Sequence, residues 1–88
     1  MPRMVITHAV VDIEQWLKGK AERASLISTV ATDVTDHVAL DGSKSVAITG
    51  DAHDIADVQA MLALPSPELA DAMQRHGVLP PVTVYIEK

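Results

Sequence analysis

The chain has 88 residues, a formal net charge of −5, 48% apolar residues and no cysteine, and its only aromatic side chains are Trp16 and Tyr85. A chain of this size holds one core, spans residues 1–88 as a single domain, and buries only about 60–65% of the surface its unfolded form exposes. Its seven Lys and Arg residues form no run or stripe, which argues against nucleic acid as a partner; the missing cysteines exclude disulfides and thiolate metal sites; and the short apolar runs together with the lack of a leader pattern point to a cytoplasmic protein with no membrane span.

From Arg3 to Val11 the residues are apolar or β-branched, with Met4, Ile6, His8 and Val10 on one face and Val5, Thr7, Ala9 and Val11 on the other, which predicts a strand. Asp12 stands where a helix N-cap belongs, with Gln15 three residues on as a capping-box variant. Ile13, Leu17, Ala21, Ala24 and Ile27 then recur at helical spacing, with Trp16 beside the stripe and Lys18, Glu22 and Arg23 outside it, so one helix is expected to about Thr29.

Thr32 to Leu40 alternates again, and Asp41-Gly42 marks a hairpin turn before Val46 and Ile48. Parity sets the register. To bring Val38 and Leu40 to the face of Val46 and Ile48, the connection needs an odd number of residues, as a turn closed by a left-handed Gly42 supplies. Gly50-Asp51 is expected to end that strand. Asp51 or Asp54 then caps a helix whose stripe is Ile55, Val58, Met61 and Leu62, and Ser66-Pro67-Glu68 starts another that stops at Gly77. After Pro80-Pro81, Val82, Val84 and Ile86 alternate with Thr83 and Tyr85 in a last strand.

The order β-α-β-β-α-β, with the second helix doubled, predicts an α+β fold: a four-stranded antiparallel sheet with helices on one face. The other face then collects His37, Ala39, Ala47, Thr49, Thr83 and Tyr85, too polar for a core and too poor in charge for an ordinary wet surface. Such a composition suits packing against a second sheet, and a homodimer through this face is expected.

The stretches Ile6-Thr7-His8-Ala9-Val10-Val11-Asp12-Ile13-Glu14-Gln15-Trp16 and Ser66-Pro67-Glu68-Leu69-Ala70-Asp71-Ala72-Met73, together with the element order, resemble small stand-alone members of the dimeric α+β barrel superfamily, related to antibiotic-biosynthesis-monooxygenase-like domains. The resemblance covers nearly the whole chain and implies two ferredoxin-like subunits with their sheets face to face. The superfamily hosts cofactor-free monooxygenases, haem-degrading enzymes and isomerases, so fold alone does not carry function. Haem degradation is not implied, because Met61 and Met73 stand about where those members look to have a Trp and an axial His. The monooxygenases line their sites with aromatic and amide groups, and this chain has no Asn and only Trp16 and Tyr85 to offer.

Any acid–base chemistry near neutral pH falls first to the histidines. His8 belongs either to the open sheet face with His37 and Tyr85, or to the core beneath Trp16. His37 follows Asp36, but neighbouring strand residues point to opposite faces, so the two form no dyad. His53 reads as part of a capping cluster, and His76 as a favourable group at a helix C-terminus. Trp16 is either the main core filler or a pocket wall, and Met61 and Met73 are either packing or cavity lining. The expected function is binding of a small apolar or aromatic molecule near Trp16, Met61 and Met73. In an enzymatic version His8 or His37 is the proton acceptor and Tyr85 a hydrogen-bond donor, without cofactor or metal; the alternatives are a non-catalytic ligand-binding module and a structural assembly protein.

Overall fold

The computed structural model describes residues 2–88, in the order β1 (Arg3–Val10), α1 (Ile13–Lys18), α2 (Lys20–Ile27), β2 (Ala31–Val38), β3 (Ser45–Ala52), α3 (Ile55–Ala63), α4 (Pro67–Arg75) and β4 (Val78–Ile86). All strand pairs are antiparallel, in the sheet order β2-β3-β1-β4. This is the expected ferredoxin-like arrangement, with each helical crossover divided in two. Met4, Ile6, Val10, Val46, Ile48 and Ala52 of the sheet and Trp16, Ile27 and Val58 of the helices form one core.

The predicted parity holds: Val38 faces Val46 and His37 faces Ala47, with Gly42 at φ 80° in the turn. β2 ends at Val38, so Leu40 lies fully exposed in the connection rather than on the strand. β3 runs past Gly50 to Ala52. A side chain at Gly50 would meet the Thr32 carbonyl at 3.2 Å, which is why the sheet accepts a glycine in mid-strand.

Helix starts follow the local code. Asp12, Asp54 and Ser66 accept hydrogen bonds from the backbone N–H of Gln15, Ala56 and Leu69. The capping box at Asp12 is only half made, because the Gln15 side chain donates instead to the Arg75 carbonyl at 2.7 Å and ties the start of α1 to the end of α4. Gly77 at φ 74° ends α4 as expected.

The first helix differs most from its sequence pattern. It breaks at Gly19, and the buried positions are Trp16, Gly19, Arg23 and Ile27, while Leu17 and Ala21 lie outside. The cause is tertiary. A Cβ at Gly19 would clash with the ring of His76, so the imidazole occupies the space a side chain would need.

β4 also begins earlier than its alternation suggests, at Val78. Thr7 pairs with Thr83 and Ala9 with Leu79, so His8 alone faces Pro80, Pro81 and Val82. Prolines bring no N–H to a ladder and are tolerated on this edge strand as a bulge. The bulge lies opposite His8.

Candidate functional site

β1 turns Met4, Ile6, His8 and Val10 toward the helices, so His8 joins the core side and is 8% exposed. Its ring meets Trp16 edge to face, with centroids 6.1 Å apart. Nδ1 lies 2.9 Å from the Ala9 carbonyl. A carbonyl only accepts, so Nδ1 carries the proton and Nε2 presents a lone pair. Burial pushes the His8 pKa below its ordinary value; the Ala9 contact opposes this and the nearby Arg23 charge adds to it. The imidazole is therefore neutral at pH 7.

A cavity of about 40 Å³ lies between sheet and helices beside this ring. Its polar lining consists of His8, Arg23 and His76; Met61, Leu62, Leu69 and Met73 are among the apolar side chains that complete it. A surface groove of about 470 Å³ between the end of α2, α3 and α4 shares Leu26, Met61 and Leu69 with the cavity. The cavity holds about a water or two. A larger molecule fits only if the lining side chains shift, and methionine adapts readily. Val58 is the only fully buried side chain of α3, which makes that helix the least anchored wall.

Arg23 organises the polar end. Its guanidinium lies over the Trp16 ring, 3.9 Å from the centroid. Nη1 donates to the Trp16 carbonyl at 2.9 Å and to Nδ1 of His76 at 3.3 Å, and Nη2 donates to Asp36 at 2.8 Å. Both side chains of the Arg23–Asp36 pair are 6% exposed. His76, with Nδ1 accepting, carries its proton on Nε2 and donates it to Glu22 at 2.9 Å. Glu22 is held ionised first by the paired Arg75 and then by His76. A chain of contacts thus runs from the helix surface through an imidazole to a buried cation. Two buried donors, Nε1 of Trp16 and Nε of Arg23, have no protein partner among the described residues. An unsatisfied buried donor typically costs about 1–3 kcal/mol.

The other candidates are divided between two places. Met61 and Met73 line the cavity with His8, whereas Trp16 is fully buried behind it. His37 and Tyr85 lie on the open sheet face, where His37 Nε2 meets the Thr49 hydroxyl at 3.0 Å and Tyr85 is 58% exposed. Both residues border an open-face groove of about 480 Å³, but the His8 ring projects to the helix side of the sheet and the His37 ring to the open side. His76 is buried between helices rather than merely ending one. Sequence reasoning placed Arg23 on the wet side of its helix; the signal available was its spacing of seven from Trp16 and four from Ile27. Among the described residues no group of three or more metal-binding side chains assembles, and no helix is long and apolar enough to cross a membrane.

No protein-family model and no curated protein matches the chain. Solved structures do. A Deinococcus radiodurans protein assigned as an antibiotic biosynthesis monooxygenase superposes with a TM-score of 0.62 at 15% identity, over 100% of this chain and 91% of that one. A second antibiotic biosynthesis monooxygenase gives 0.61 at 8% identity, over 100% and 97%, and Rv0793 from Mycobacterium tuberculosis gives 0.56 at 13%, over 100% and 94%. The chain has the ferredoxin-like α+β fold of antibiotic-biosynthesis-monooxygenase-like proteins.

Proposed function

We propose that this chain is a homodimeric small-molecule-binding protein and a cofactor-independent enzyme, with His8 as the base acting on a small apolar or aromatic compound held between sheet and helices. The observation that carries the reading is the neutral His8 ring, fixed by the Ala9 carbonyl so that Nε2 keeps a lone pair beside an apolar cavity. A base needs that lone pair within reach of an acidic O–H or C–H. Return of the proton to another carbon makes the reaction an isomerisation; transfer of electrons from the anion to dioxygen makes it an oxygenation, and the names of two structural relatives favour this second form.

The dimer reading rests on the open sheet face, where His37, Ala47, Thr49, Thr83 and Tyr85 present small and semi-polar groups with few charges. Light scattering at micromolar concentration is expected to give twice the monomer mass, and Ala47→Arg to give the monomer with an unchanged circular dichroism spectrum. A wild-type monomer overturns the dimer.

A thermal-shift screen of small phenols and enolisable ketones, followed by oxygen uptake and solvent-deuterium exchange on each compound that binds, tests the chemistry. His8→Gln is expected to retain binding and to lose oxygen uptake or exchange by about 10²-fold or more. A second reading, a non-catalytic ligand-binding module, is favoured by the position of His37 and Tyr85 away from the cavity. Binding with no turnover in wild type, or equal turnover in His8→Gln, decides for it.

A further inference from the structure

The polar side chains on the cavity wall are committed mainly to protein partners. Among the described residues they are His8, Arg23 and His76. Nδ1 of His8 is held by the Ala9 carbonyl, and the two ring nitrogens of His76 are held by Arg23 and Glu22. Arg23 donates to Trp16, His76 and Asp36, and its Nε is buried out of reach of a water-sized molecule. What remains is the lone pair on Nε2 of His8 and one N–H of the Nη2 that bonds Asp36. The surface that the wall presents to the cavity is almost wholly apolar. A buried water typically makes about three hydrogen bonds, and this wall falls short of them. Apolar cavities stay dry and take apolar gases.

We infer that the cavity between sheet and helices is a binding site for a diatomic apolar gas, dioxygen, beside His8. Room for a water or two is room for two bonded non-hydrogen atoms, without the side-chain shifts that an organic compound requires. Dioxygen is uncharged and has no strong hydrogen bond to lose on leaving water, so the wall that disfavours water does not disfavour it. Its attraction to the wall is dispersion, to which Met61 and Met73 bring two polarisable thioethers. Leu26, Met61 and Leu69 also border the surface groove between α2, α3 and α4, which gives a small gas a short way in from solvent. A gas site stands on the cavity alone; the choice of dioxygen among apolar gases rests on the oxygenation reading above.

The test uses full-length protein labelled with ¹³C at the Met, Leu and Ile methyls and followed by NMR under xenon, then under dioxygen. Xenon is expected to shift the Met61, Met73, Leu62 and Ile48 methyl signals to a plateau, while those of the exposed Leu40 and Leu64 change only in proportion to pressure. Dioxygen is paramagnetic and is expected to broaden the same cavity methyls beyond the exposed ones. Ala72 is buried on the cavity wall, so Ala72→Val puts methyl groups into the space and is expected to abolish the plateau. With any compound that drives oxygen uptake, Ala72→Val is expected to raise the KM for dioxygen by about tenfold.

A xenon response that stays proportional to pressure at every methyl overturns the gas site. So does a nuclear Overhauser effect from a long-lived water to the Met61 or Met73 methyl, which shows the space to be wet. A plateau that survives Ala72→Val puts the gas elsewhere and overturns the site as well; if that variant does not fold, the wild-type xenon titration decides. Saturable xenon with no extra broadening by dioxygen at the same methyls overturns the choice of dioxygen. If xenon saturates and no compound drives oxygen uptake, the oxygenation reading fails and the choice of dioxygen fails with it, while the gas site stands. Oxygen uptake with an unchanged KM for dioxygen in Ala72→Val keeps the oxygenation reading and overturns dioxygen as the occupant of this cavity.

Discussion

The two faces of the sheet carry histidines of opposite character. On the covered face His8 is buried against Trp16, and a buried cation, Arg23, lies over the same indole with its own counter-ion, Asp36. On the open face His37 bonds the Thr49 hydroxyl in the presence of solvent. The same residue type, with one strand between the two copies, is a buried imidazole against an indole in one case and a surface hydrogen-bonding group in the other. Burial and neighbours make the difference, and residue identity does not.

The largest test of that contrast is the buried ion pair. Arg23→Ala strands the Asp36 carboxylate and is expected to cost about 3–5 kcal/mol in urea unfolding, as does Asp36→Ala for the mirrored reason. Arg23→Met with Asp36→Leu is expected to recover most of the loss. If both single variants unfold like wild type, the pair is not buried in solution and the covered face is wetter than described.

Next comes Gly19. Alanine there drives a Cβ into the His76 ring, where the imidazole is also held by Glu22 and Arg23. Gly19→Ala is expected to cost about 2–3 kcal/mol, as overpacking does, and adding His76→Ala is expected to return part of it. Additive losses in the double variant would falsify the direct contact.

A smaller effect tests the burial of His8 through pH. His8 has a folded pKa below its unfolded value, so between those two values the unfolded state binds more protons. Its contribution favours folding fully above about pH 6.5, the unfolded value, and is lost as pH falls from there toward the depressed folded value. Urea midpoints of wild type measured from pH 8 to pH 5 are expected to fall more steeply than those of His8→Gln. Identical slopes would show that His8 titrates as it does unfolded.

The smallest expected change belongs to His37→Ala. An exposed hydrogen bond between side chains contributes little, and a change within about 0.5 kcal/mol is expected in monomer stability. A loss above about 2 kcal/mol would move His37 into the same category as His8.

The local code of the chain decides a good deal by itself. Asp12, Asp54 and Ser66 are short polar acceptors placed before helical runs, Pro67 sets the first turn of α4, and Gly42 and Gly77 take positive φ where turns require it. Period-two alternation sets which face is covered in β3, in β2 from Val34 to Val38 and in β4 from Val82 to Ile86, because parity is a property of neighbouring residues; bulges at Asp33 and at Pro80-Pro81 reset it. The cavity methionines are legible from helical spacing, Met61 in the stripe Ile55, Val58, Met61 and Leu62 and Met73 in the run Leu69, Ala72 and Met73. Partners distant in sequence decide the rest. Arg23 reads as a solvated charge until the fold sets Asp36 of β2 beside it, and Gly19 reads as an ordinary helix residue until His76, 57 positions later, arrives against it. The face of His8 is set by its pairing with β3 and β4, where Val46 lies opposite and the Pro80-Pro81 bulge opens the ladder. The buried side of a helix is chosen by what packs on it, and a charge becomes a core residue only when tertiary structure supplies its counter-charge.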